Sequence, residues 1–282
     1  VDDNTVLEDD IVETWKTAFN LCDISLSVKT VVLLLRDAVT GHLAATVAAK
    51  PFGAIRRNYL QSHMKESLHY IDLFWTATCK RKQGLGDFLL NGIFVQLTSL
   101  YGSAPVIFIK EGNPLPKIIP PLYSSIYIYK YIESGRNDPN IQFISQEKAV
   151  TVAGRWLGNR TDSLQQQGGQ QQQQQFYILW KNSILYYITI PQQYGPNGKD
   201  HIVWITGMIA SPKISIREYS TALNETAEFI TYAFNMKYIW SDIAFLGDSQ
   251  NHHGWNMDGP FNIYAFQWNP ILFGQRINGF FC

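Results

Sequence analysis

The residues most able to do chemistry form one local cluster, Lys80-Arg81-Lys82-Gln83-Gly84-Leu85-Gly86. An aromatic, strand-like run, Leu68–Thr76 (LHYIDLFWT), leads into it, and a helical pattern, Asp87–Tyr101, follows. Glycines let a backbone approach an anion closely. A helix start adds unpaired amide N–H groups and a partial positive charge. Three basic side chains beside them make a cradle for a pyrophosphate. The alternative, an ordinary basic turn that caps a helix, has equal weight on these residues alone. The loop is not a P-loop, since no Gly-Lys-Ser/Thr follows, and it lacks the three-glycine dinucleotide spacing.

Other reactive side chains form weaker patterns. His252-His253 lie in a Gly/Asn/Asp-rich stretch without ligand spacing, so a loop is expected there and no metal site. Cys22, Cys79 and Cys282 are an odd count without metal-type spacing, which suits a reducing, cytoplasmic setting and gives no disulfide framework. The aromatics Tyr127, Tyr129, Tyr131, Trp204 and Trp240 read as core or groove wall.

The elements that must position the cluster follow from hydrophobic period and turn chemistry. The first half reads as a helix Asp10–Phe19, a hairpin Thr30–Asp37 and His42–Ala49, the strand Leu68–Thr76, the helix Asp87–Tyr101, and strands at Pro105–Ile109 and Tyr123–Tyr131. The second half repeats the order. A hairpin turns at Lys181-Asn182, a strand runs over Ile202–Ala210, a helix over Glu218–Phe234, and strands over Ile239–Phe245 and Phe261–Trp268. Hairpin, strand, helix, strand occurs twice, which predicts two similar mixed α/β units with joined sheets, over 1–140 and 141–282. Gln165–Gln175, with nine glutamines and two glycines, reads as an inert surface insertion.

Composition narrows the class. The 282 residues are 46% hydrophobic and 16% charged, enough to bury a large core. Lys+Arg and Asp+Glu are 23 each, which argues against a nucleic-acid binder that works by general phosphate attraction. The densest apolar run, Val31–Leu35, is far short of the ~18 residues of a membrane span. The acidic start VDDNTVLEDD is not a signal peptide.

Arg81-x-x-Gly84-x-Gly86 after an aromatic strand resembles the acyl-CoA motif of the GCN5-related N-acetyltransferases. The doubled layout is similar to the glycylpeptide N-myristoyltransferase family, a fused pair of such units sharing a central mixed sheet. Tyr70-Ile71-Asp72-Leu73-Phe74 stands where that family has Glu-Ile/Val-Asn-Phe-Leu, Leu115-Pro116-Lys117 matches a Leu-Pro-Lys after the next strand, and Asp258-Gly259 with Tyr264 and Trp268 echoes Gly-Asp-Gly and Tyr-x-x-Asn-Trp. The resemblance implies an acyl-CoA N-acyltransferase fold. It implies myristoyl-CoA or another acyl-CoA in the first half, and a peptide or protein with an N-terminal glycine as acceptor. It implies no metal. It gives Lys80–Gly86 to the CoA phosphates, the backbone amides of Leu73 and Phe74 to the oxyanion hole, and the α-carboxylate of Cys282 to the general base. Two positions depart from the family. Asp72 replaces its Asn, and Lys110 replaces a Thr that helps to hold the amine. Asp72 would attract an ammonium and Lys110 would repel one, or the two would pair. A short-chain acetyltransferase and a non-catalytic binding protein are the rival expectations.

Overall fold

The computed structural model describes residues 8–22, 24, 26, 29–56, 65–102, 105–114, 121, 123–157, 174–247 and 254–266. Two compact units divide it: the first runs to Ile109 and takes in the end of the last strand from Ile263, and the second covers Lys110 to Asn262. The turn-rich stretch Gly135–Asn140 (GRNDPN), at the boundary expected from the sequence, lies inside the second unit.

The first unit begins with α1 (Asp9–Phe19), which buries Ile11 and Trp15 one turn apart. Asp9 and Asp10 in its first turn suit the positive end of the helix dipole. Arg36 bridges this end to β1 by pairing with Asp10 and Glu8, both at 2.7 Å. The strands β1 (Val31–Arg36) and β2 (Leu43–Arg56) pair antiparallel across the Thr40-Gly41 turn, where Gly41 takes φ +72°. β3 (Lys65–Thr76) pairs antiparallel with β2. α2 (Leu85–Tyr101) then crosses over to β4 (Val106–Glu111), parallel to β3. The order is β1-β2-β3-β4, followed by the end of β11 (Asn256–Phe266). Leu89, Ile93 and Leu97, on one stripe of α2, are buried.

The second unit repeats this plan. Its elements are β5 (Tyr123–Tyr131), β6 (Ile141–Ile144), α3 (Gln146–Leu157), β7 (Gln174–Trp180), β8 (Ile184–Ile190), β9 (Ile202–Ala210), α4 (Tyr219–Phe234) and β10 (Tyr238–Asp242). β7 and β8 form the hairpin, β8 and β9 pair antiparallel, and β10 lies parallel to β9 after the α4 crossover. Lys181 and Asn182 both take positive φ, and the Ser183 N–H closes on the Trp180 carbonyl at 2.8 Å. Hairpin, strand, helix and parallel strand thus occur twice, as expected from the element order, and α3 before the second hairpin extends the match to the leading helix α1. α2 begins two residues before the expected Asp87, because Gly84 takes the left-handed conformation that turns the chain into the helix. β6 and α3 were not expected from the sequence.

Four of the five aromatics singled out in the sequence pack on one another or on Phe261, while Tyr131 is exposed. Tyr127 stacks on Phe261 with centroids 3.9 Å apart and meets Trp204 edge-on, while Tyr129 stacks on Trp240. Trp240 donates its indole N–H to Asp258 at 2.9 Å. Asp242 is buried. It accepts hydrogen bonds from Tyr123, Ser125 and the Ala244 amide, and desolvation still pushes its carboxyl above the ordinary value.

Candidate functional site

The site expected from the sequence is centred on a defect in the sheet. On β2, Val47 alone stands between Thr46 and Ala48. On β3 the partners of those two residues, Trp75 and Asp72, enclose both Leu73 and Phe74. The extra residue is a β-bulge. Leu73 takes φ +52°, a conformation that costs an L-residue with a Cβ about 1–2 kcal/mol. Two features offset that cost. The Leu73 side chain is buried with Ile11, Trp15, Leu43 and Ala48, and its carbonyl accepts a hydrogen bond from Thr46 Oγ1 at 2.9 Å. Trp15 Nε1 in turn donates to Thr46 Oγ1 at 2.8 Å.

That relay is a specific prediction. Thr46→Val keeps shape but leaves the buried Trp15 N–H and Leu73 carbonyl without their partner, at ~1–3 kcal/mol for each stranded group. We expect a loss of about 2–4 kcal/mol in urea unfolding, with Thr46→Ser close to wild type. An unchanged midpoint in Thr46→Val would show that the relay does not hold the bulge.

The parallel pairing of β3 with β4 covers only His69–Ile71 against Val106–Phe108. From Asp72 onward, among the described residues, β3 has ladder partners on β2 alone. The bulge therefore lies where β3 loses β4, and its extra residue stands outside the regular ladder. This is the stretch expected to supply the oxyanion hole. The Leu73 amide has a local partner: it donates to Asp72 Oδ1 at 2.8 Å. Asp72 Oδ2 is paired with Lys50 Nζ at 2.6 Å. Lys110 donates to the carbonyls of Glu111 at 3.2 Å and Asn113 at 2.5 Å. Asp72 and Lys110 therefore each have another partner, and the pairing with each other considered above gives way to these contacts.

The basic loop follows directly. Thr78–Lys80 makes a short 3₁₀ turn, Lys82 and Gly84 take φ of 65° and 76°, and α2 starts at Leu85. No side chain caps this end of α2. A Cβ on Gly84 would meet nothing within 4 Å, so its face is open. A Cβ on Gly86 would lie 3.2 Å from Phe74 Cζ, so Gly86 lets the half-exposed Phe74 ring lie against the first turn. Arg81, Lys82 and Gln83 are exposed. Arg81 and Gln83 make only long contacts, at 3.4 Å, to the carbonyls of Thr76 and Cys79. Lys80 differs: its ammonium is 2.5 Å from Asp37. The Lys80 hydrogen bond, with the Thr40 and Val39 amides behind it, holds the Asp37 carboxyl far below the usual range, and Asp37 raises Lys80. Lys80 thus fastens the loop to the β1–β2 turn, and Arg81 and Lys82 carry the charge that faces solvent.

The pH consequence has a definite sign. Asp37 has a folded value below its unfolded one, so its stabilisation is present above the unfolded carboxylate value and is lost as pH falls through the folded one. Asp37→Asn is expected to be less stable than wild type at pH 7 and to lose less stability on acidification. Parallel acid limbs for the two proteins would contradict it.

Cys282, Leu115-Pro116-Lys117, Trp268 and His252-His253 lie outside the described residues. Among the described residues, no group of three or more His, Cys, Asp or Glu is placed to hold a metal, and no helix is long and apolar enough to cross a membrane. The second unit carries a groove of about 470 Å³ beside Phe143, Phe176 and Phe234, whose one titratable lining residue is Tyr177. Sequence reasoning missed Trp15, Thr46 and Lys50. Thr46 and Lys50 reach the bulge through strand register and carry no local signal, whereas Trp15 reaches it through the packing of α1, and its helix face says nothing of that contact.

No family model matches the sequence, and no curated protein matches it. Solved structures do. A crystal structure of Saccharomyces cerevisiae N-myristoyltransferase with bound myristoyl-CoA and inhibitors matches 82% of this chain at 12% identity, with a TM-score of 0.51. A second, of the same yeast enzyme with bound myristoyl-CoA, matches 83% at 13% identity, with a TM-score of 0.52. The chain spans 66% of the length of each, just under two thirds. The chain therefore has the mixed α/β acyl-CoA N-acyltransferase fold, in its N-myristoyltransferase-like form.

Proposed function

We propose that this protein binds a long-chain acyl-CoA in its first unit and transfers the acyl group to the N-terminal glycine of a peptide or protein. One observation carries the reading: the bulge at Leu73, where β3 parts from β4, is followed by an open, basic, glycine-containing turn into α2. The thioester carbonyl would lie at the amides of Leu73 and Phe74. The CoA phosphates would lie against Arg81, Lys82, Gln83, Gly84, Leu85 and Gly86, with Lys80 anchoring the turn. The bound myristoyl-CoA of the yeast structures supports acyl-CoA as the substrate class. In transfer, the amine nitrogen bonds to the thioester carbon as the C–S bond breaks. The proton that the nitrogen sheds passes through a base to the departing thiolate, so CoA leaves as the thiol. No metal is required, and a cytoplasmic location goes with the reading.

A second reading has a specific observation in its favour. Asp72 already occupies the Leu73 amide, which suits a protein that holds acyl-CoA without turning it over. The test is transfer of labelled myristate from its CoA thioester to a glycine-initiated peptide, with acetyl-CoA run in parallel. Labelled peptide from myristoyl-CoA is expected. Faster transfer from acetyl-CoA would overturn the long-chain assignment, and bound myristoyl-CoA without transfer from either donor would establish the second reading.

A further inference from the structure

We propose that Asp72 is a built-in stopper of the oxyanion position, seated on the Leu73 amide and clamped there by Lys50, so that acyl transfer requires its displacement. The inference rests on the acyl-CoA reading above and adds to it a group that sets the rate of the site. The geometry is direct. Asp72 Oδ1 accepts the Leu73 N–H at 2.8 Å, and Asp72 Oδ2 lies 2.6 Å from Lys50 Nζ. The clamp follows from register. Ala48 stands opposite Asp72 and Lys50 opposite Tyr70, so Lys50 and Asp72 are diagonal neighbours on one face of the β2–β3 pair. The Lys50 side chain is 17% exposed and that of Asp72 36%, so the carboxylate can swing into solvent while the lysine stem stays packed. Leu73, on the bulge, cannot turn its amide elsewhere without releasing the buried Leu73 side chain and the Thr46 hydrogen bond to its carbonyl.

The consequence is electrostatic. When an amine attacks a thioester, the carbonyl oxygen carries transient negative charge until the C–S bond breaks. A carboxylate on the Leu73 N–H removes one of the two donors meant for that oxygen and places like charge beside it. Removal of one such donor lowers kcat by about 10²–10³ in enzymes that rely on it. Acyl-CoA would therefore sit in the closed site with its thioester protected from attack, until a cation competes with Lys50 for Asp72. The substrate's own N-terminal ammonium has the charge to do so.

The test uses the full chain with Asp72→Ala and Asp72→Asn, each checked for native circular dichroism. Three readouts separate the claims. Calorimetry with myristoyl-CoA reports on the acyl-CoA reading. Amide hydrogen exchange at Leu73 reports on the contact. Single-turnover transfer to a glycine-initiated peptide reports on the consequence. We expect acyl-CoA affinity within a few-fold of wild type in both variants, and faster exchange of the Leu73 amide in Asp72→Ala. We expect a transfer rate raised about 10²–10³-fold in Asp72→Ala, with a smaller gain in Asp72→Asn, whose amide oxygen can still accept from Leu73. Unchanged Leu73 exchange, or an unchanged or slower transfer rate with acyl-CoA still bound, would overturn the stopper. Absence of acyl-CoA binding in the wild type would instead overturn the reading beneath it, and the stopper with it.

Discussion

Gly84→Asp is expected to abolish binding of CoA and acyl-CoA while the protein stays folded. Gly84 has φ +76° and stands at the open start of α2, where no side chain caps the helix. Asp is among the few residues that accept this left-handed conformation, so the backbone penalty is small. Its carboxylate would take the capping role that Gly84 leaves vacant, accept from the first-turn amides, and place negative charge where phosphate oxygens would lie. Helix stability is therefore expected to hold or rise while anion binding is lost. Gly84→Asn separates the two effects. It has the same backbone tolerance and capping ability without the charge, and it should weaken binding less. Equal CoA affinity in Gly84→Asp and wild type, measured by calorimetry, would take the phosphates away from this loop.

The second large effect concerns the fold of the second unit. Gly135 lies against the backbone of α4: an added Cβ would come within 2.2 Å of both the Glu228 carbonyl oxygen and the Tyr232 amide nitrogen. Backbone atoms inside a helix cannot move aside as a side-chain tip can. Gly135→Ala must therefore push the 135 segment off α4, and we expect a cost of about 3 kcal/mol or more, at the top of the range for overpacking. That is a large share of the ~5–15 kcal/mol by which a domain is stable. Gly259→Ala, whose Cβ would meet nothing within 4 Å, is the control and should change stability by no more than ~0.5 kcal/mol. A Gly135→Ala protein that unfolds with the control would show that this packing is not what fixes α4.

What the sequence made legible was what is local. The Gly84/Gly86 loop, the Lys181-Asn182 turn and the periodic helices Asp9–Phe19, Leu85–Tyr101 and Tyr219–Phe234 each carry their signal within a few residues. The repeated order was legible because each unit spells it out separately. α3 does carry a stripe, Ala149, Val152, Ala153 and Trp156 at i, i+3, i+4 and i+7, but half of it is alanine, and β6 is four residues with no clear period. The bulge was invisible because Leu73 is an ordinary strand residue by type; its positive φ comes from a register shift against β2. Lys50 was invisible for the same reason. It is 22 residues from Asp72 in sequence and beside it only through the diagonal of that register.

If the bulge and the basic loop of the first unit form one acyl-CoA site, a single bound ligand must protect both. The most direct measurement is amide hydrogen exchange of the wild-type chain with and without saturating myristoyl-CoA. We expect slower exchange at two stretches together, around Leu73 and Phe74 on β3 and from Lys82 to Asp87 at the start of α2, with free CoA slowing exchange only in the second. Saturable binding that protects neither stretch, or no saturable binding at all, would contradict the shared site.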